Sequence, residues 1–115
     1  LAAQYAFDKG FDAVVAVGLV LKGETPHFDY VCQGVTQGVI DVSLKYGKPI
    51  GYGVLMCDDL DQAVARCGRP HSKEDKGYDS AIAAIDHIDA SGVHVNDITD
   101  KRFVADHDVA ATSQD

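Results

Sequence analysis

The segment Lys22-Gly23-Glu24-Thr25-Pro26-His27 joins an apolar run to a helical pattern. Within six residues it gathers groups that handle anions and protons. Gly23 lets a backbone approach a ligand closely. Thr25 brings a hydroxyl. A helix opening at Pro26 offers unpaired N–H groups and the positive end of a helix dipole. That combination suits a phosphate monoester. It lacks the GxxxxGK[ST] spacing, so a nucleoside triphosphatase is not expected. His27 falls in the first turn, and an imidazole is the side chain suited to giving and taking protons near neutral pH. The competing reading is a surface or capping histidine. Asp29 and Tyr30, on spacing alone, are helix surface and packing.

Arg66 is a second candidate. It stands in an acidic half of the chain, and its guanidinium is a ready bidentate anion ligand. The alternative is a solvated surface arginine. His71, His87, His94 and His107 form no H-x3-H pair and no HExxH, so no metal site is expected. Cys32, Cys57 and Cys67 are an odd number without CxxC. They are expected as free, small, buried hydrophobes in a reducing cytoplasm.

The elements that must hold these groups follow from periodicity. Residues 1–9 read as a helix stopped by Gly10. Phe11 to Leu21 is a β-branched apolar run, too continuous for a half-exposed strand, and is expected to be covered on both faces. Thr25 is the expected N-cap and Pro26 the first helical residue. Phe28, Val31, Cys32, Val35, Val39, Val42 and Tyr46 then recur as one apolar stripe. Gly34 and Gly38 leave room on this helix for another backbone. Pro49 to Cys57 reads as a second buried strand, weakened by two glycines. A short helix from Leu60 to Cys67, a polar loop from Arg69 to Asp75 and a helix from Lys76 to Ala90 follow. The last helix is expected to bury Tyr78, Ala81, Ile82, Ile85 and Ile88. Strand, helix, strand, helix predicts a parallel α/β sheet, whose functional groups collect at the carboxyl ends of the strands. Residues 91–115 show no steady period and are expected to be a loose acidic tail.

Composition narrows the classes. The chain has 115 residues, 46% of them hydrophobic, which is one ordinary domain or less. A net charge of -8 leaves no basic face for nucleic acid. No apolar run approaches the roughly 18 residues that span a bilayer, so no membrane association is expected.

Gly18-Leu19-Val20-Leu21-Lys22-Gly23-Glu24-Thr25-Pro26-His27-Phe28-Asp29-Tyr30-Val31 resembles the signature of the 6,7-dimethyl-8-ribityllumazine synthases. Pro49 to Leu55 resembles that family's fourth strand. Asp61 to Gly68 resembles its QAxxRxG helix, and Glu74-Asp75-Lys76-Gly77 the start of its last helix. The longer loop from Arg69 to Asp75 looks most like the actinobacterial branch. The resemblance covers Leu1 to about Ala90, in order. It implies a flavodoxin-like three-layer αβα fold with a parallel sheet, here its C-terminal part, assembled as a homopentamer or a larger shell. It also implies condensation of 5-amino-6-(D-ribitylamino)uracil with 3,4-dihydroxy-2-butanone 4-phosphate in riboflavin synthesis, with no cofactor and no metal.

By that resemblance His27 is the acid/base histidine. Gly23, Glu24 and Thr25 form the phosphate loop, and Arg66 completes the anion site. Val20 and Leu21 match positions whose backbone contacts the pyrimidine edge. Tyr52 matches a position contributed by the neighbouring subunit, and Lys76 a lysine near the site. Lys22 replaces the usual Arg and keeps the charge. Ala65 stands where an acid often precedes the arginine, so a carboxylate partner is missing there. The family's first half, with its stacking aromatic and ribityl-binding segment, is expected to precede Leu1. The chain by itself is then expected to hold the phosphate side of the site and to be inactive. A different class remains open: a truncated subunit with an assembly or scaffold role. A related enzyme of riboflavin synthesis on the same scaffold is a third reading.

Overall fold

The computed structural model describes residues 1–90. The chain runs α1 (Ala2–Asp8), β1 (Val14–Leu21), α2 (His27–Tyr46), β2 (Ile50–Cys57), α3 (Leu60–Val64) and α4 (Lys76–Ala90). The expected acidic tail lies outside the described residues. β1 starts three residues later than its apolar run, and α3 stops three residues short of Cys67. Gly10 and Gly47 have left-handed backbones, at φ 91° and 61°, and end α1 and α2 as expected.

β1 and β2 pair in parallel, from Val14 opposite Ile50 to Leu21 opposite Cys57. Partners in such a ladder share a face, and successive residues alternate faces. One face carries Ala16, Val20 and Tyr52 and meets α2, where the Tyr52 hydroxyl lies 2.8 Å from Thr36 Oγ1. The other face carries Gly51 and Gly53 and meets α4. Helix, sheet and helix thus form three layers, an α/β fold of the expected kind.

The two glycines of β2 are the seat of α4. A Cβ on Gly51 would stand 2.1 Å from the Ser80 carbonyl oxygen, and one on Gly53 would stand 2.6 Å from Ser80 Oγ. This close approach buries Ser80 to 6% exposure, with Oγ donating to the Gly77 carbonyl at 3.0 Å. It also corrects the expected stripe of α4. Ile88 is buried as expected and Ala81 and Ile85 are half-buried, but Ser80 and Ala84 are buried over the glycines while Tyr78 and Ile82 are exposed. Small residues fit against a glycine floor; the bulkier pair on the same helix is left outside. Gly51→Ala is expected to lower the stability of the whole protein by about 2 kcal/mol, because backbone must move to admit the methyl. Denaturant unfolding checks this.

The apolar stripe of α2 is half-buried at every predicted position, facing the sheet. Among the described residues no atom lies within 4 Å of a Cβ at Gly34 or Gly38. No described element fills the groove the sequence suggested. Both-face cover of the strands is also only partly met. Val20 is 3% exposed on the α2 face, but Val17 is 61% exposed on the α4 face, because α4 seats over β2 rather than β1. Cysteine burial is likewise uneven: Cys57 is buried, Cys32 half-buried and Cys67 exposed. Cys67 lies beyond the end of α3, where no layer among the described residues covers it.

α1 is tied down at its end. Phe7 is buried against the Tyr46 ring, at 5.3 Å between centroids. The Tyr46 hydroxyl donates to Asp8 Oδ1, and that bond pushes the phenol above its ordinary pKa. Lys48 Nζ donates to the Phe11 carbonyl at 2.9 Å, fixing the approach to β1.

Candidate active site

The carboxyl end of β1 presents the first group of residues. Lys22 N–H donates to the Cys57 carbonyl at 2.9 Å, so pairing carries one residue past Leu21 before the chain turns away. Val20 is buried and Leu21 half-buried, which anchors the loop root. Glu24, Thr25 and His27 are exposed, and Gly23 is half-buried. Helix α2 is assigned from His27, one residue later than expected. The N-cap is accordingly Pro26, with no side-chain cap bond, rather than the expected Thr25. Pro26 is helical at φ -65° and ψ -3°, its carbonyl accepts from Asp29 N–H at 3.0 Å, and Thr25 Oγ1 accepts a long bond from His27 N–H at 3.4 Å. A hydroxyl, an imidazole and a helix N-terminus of 20 residues therefore open together onto solvent.

The second group is built by the segment after β2. Asp59 Oδ1 caps α3 by accepting from Gln62 N–H at 2.8 Å. Gln62 Oε1 reaches back to Asp58 N–H at 2.8 Å. The Gln62 carbonyl accepts from Arg66 Nη1 at 2.9 Å, which aims the guanidinium. Burial pushes the Cys57 thiol up, and Arg66 is near enough to pull it partly back. Arg66 lies just past α3, the short helix that follows the carboxyl end of β2.

The polar loop then folds back on α3. The Ala65 carbonyl accepts from Lys73 N–H and Glu74 N–H at 2.8 and 3.0 Å. Gly68 N–H donates to the Glu74 carbonyl at 3.1 Å, and Lys76 N–H to the Arg66 carbonyl at 3.0 Å. Ser72 Oγ donates to the Val64 carbonyl and accepts from Arg69 N–H at 3.0 Å. Gly68 is left-handed at φ 76°, and a Cβ there would collide with the Asp75 carboxylate. Asp75 caps α4, accepting from Tyr78 N–H at 2.9 Å.

This return brings Glu74 between two cations. Its Oε2 lies 3.6 Å from Arg66 Nε and 3.7 Å from Lys76 Nζ. The sequence placed no carboxylate beside Arg66, because Ala65 occupies the usual position. The fold supplies one from across the loop.

Tyr52 stands apart from the β1 loop. It lies opposite Ala16, five residues before Cys57, or about 16 Å along the strand. It shares an open cleft of about 460 Å³ with Lys76, beside β2 between α2 and α4. Within one chain the structure thus joins Arg66, Glu74 and Lys76, and puts Lys76 and Tyr52 on one cleft. It does not bring Tyr52 to His27.

Residues 1–91, which contain every element described above, match the family model of 6,7-dimethyl-8-ribityllumazine synthase. The chain belongs to the 6,7-dimethyl-8-ribityllumazine synthase family. The 6,7-dimethyl-8-ribityllumazine synthase of Streptomyces coelicolor is 56% identical over 77 residues, covering 67% of this chain and 48% of the relative. That of Thermobifida fusca is 59% identical over 75 residues, covering 65% of this chain and 44% of the relative. That of Paenarthrobacter aurescens is 57% identical over 75 residues, covering 65% and 47%. The chain spans about half the length of the curated relatives it matches. Among the described residues no helix is long and apolar enough to cross a membrane.

Proposed function

We propose that the protein is a lumazine synthase subunit, condensing 5-amino-6-(D-ribitylamino)uracil with 3,4-dihydroxy-2-butanone 4-phosphate to give the lumazine, phosphate and water. The observation that supports this most is the loop of Gly23, Glu24, Thr25 and His27 at the carboxyl end of β1, in a chain of this family. The phosphate of the butanone substrate is bound by the loop backbone, the Thr25 hydroxyl, the N-terminus of α2 and Arg66. Lys76 adds a second cation. His27 moves protons during imine formation, phosphate elimination and ring closure. It stands beside the leaving group, so one imidazole serves each step in turn. The backbone at Val20 and Leu21 meets the pyrimidine edge.

Tyr52 acts on the site of an adjacent subunit. Its separation of about 16 Å along β2 from the His27 end favours this over a site closed within one chain. The protein then works as a cytoplasmic homo-oligomer, a pentamer or a larger shell, with no nucleic acid or membrane partner. It needs neither metal nor cofactor, because binding charge comes from Arg66 and Lys76 and proton transfer from His27. Mixing the whole protein with both substrates and following lumazine absorbance and fluorescence tests this. Product formation is expected. An intact assembly that forms none would favour a scaffold role.

A further inference from the structure

We infer that Glu74 is a positioning residue for the anion site: its carboxylate holds the Arg66 guanidinium and the Lys76 ammonium as one two-cation receptor for the substrate phosphate. The inference rests on the proposed phosphate-binding role of Arg66.

Three observations support it. Glu74 Oε2 faces both cations, at 3.6 and 3.7 Å. The backbone on either side of it is pinned by bonds from Glu74 N–H to the Ala65 carbonyl and from Lys76 N–H to the Arg66 carbonyl, which holds the root of the side chain beside both cations. Arg66 itself is held from the other side by the Gln62 carbonyl, which leaves part of its fork of donors uncommitted. The ion pairs are about 43–44% exposed, so they add little to folding stability. Their effect is geometric. Two unlinked cations on flexible stems would repel and spread. A shared carboxylate brings them together before the ligand arrives, which reduces the ordering cost of binding.

A carboxylate near an anion site has an opposing effect, because it repels phosphate. The two effects predict opposite outcomes for Glu74→Gln, which removes the charge and keeps the shape. Pure charge repulsion predicts tighter phosphate binding in the variant. Positioning predicts weaker binding, and predicts that the loss disappears once Arg66 is gone.

The test uses the whole assembled protein and inorganic phosphate as the probe. Its dissociation constant is measured by calorimetry for the wild type, Glu74→Gln, Arg66→Ala and the double variant, alongside melting temperature and steady-state kinetics. Glu74→Gln is expected to weaken phosphate about tenfold. The KM for the butanone phosphate should rise similarly and that for the ribitylaminouracil should stay within twofold. The melting temperature should be unchanged, and Glu74→Gln should add nothing in the Arg66→Ala background. Unchanged or tighter phosphate in Glu74→Gln would overturn the inference, as would a full tenfold loss in the double variant beyond that of Arg66→Ala. If Arg66→Ala left phosphate binding intact, the anion-site reading itself would fall, and the inference with it. A phosphate-binding, Arg66-dependent wild type with an indifferent Glu74→Gln would sink the inference alone.

Discussion

His27→Ala is expected to lower turnover about 10²-fold in the whole protein while leaving assembly intact. The size follows from what a positioned acid-base group contributes, roughly 10²–10⁴ in rate. The low end of that range is expected because His27 is exposed at the mouth of the loop. Assembly should survive because the side chain makes no described contact that holds two elements together; only its backbone N–H meets Thr25 Oγ1. Turnover of lumazine and sedimentation of the variant check the two halves separately. A variant at wild-type rate would remove His27 as the proton shuttle.

Arg66→Ala is expected to raise the KM for the butanone phosphate far more than the KM for the ribitylaminouracil. A charge-assisted bond to phosphate contributes roughly 1.5–3 kcal/mol, which is about tenfold to 100-fold in affinity. The arginine is half-buried, and one of its five N–H donors, on Nη1, is committed to the Gln62 carbonyl. The lower part of that range is therefore the better expectation. Steady-state kinetics with each substrate varied in turn separates the outcomes. Equal rises in both constants would mean that Arg66 mainly shapes the end of α3.

Much of the fold was legible in the sequence because it depends on local pattern. The β-branched runs before Leu21 and Cys57, the stripe of α2 and the glycines at positions 10 and 47 name their own elements. The β1 loop was legible too, since Gly23, Thr25 and His27 lie within one short stretch. What escaped depends on through-space packing. Hydropathy favoured Tyr78 and Ile82 as core. Only the sheet shows that Gly51 and Gly53 admit Ser80 and Ala84 instead. The two-face cover read from the apolar run failed at Val17 because a helix chooses its seat by shape as well as by hydrophobicity. Glu74 was passed over as a helix-start residue. Its approach to Arg66 is set by two backbone bonds to Ala65, which no side-chain pattern reports. The nearest signal was the missing acid at Ala65, a vacancy that another carboxylate could fill from across the loop.

In the proposed reaction the β1 loop and His27 couple phosphate departure to lumazine formation in one site. Recording inorganic phosphate and lumazine together, from the whole protein and both substrates, tests it most directly. One phosphate released per lumazine formed is expected, with both signals falling in step in His27→Ala. Phosphate released without lumazine, or an intact assembly that produces neither, would contradict it.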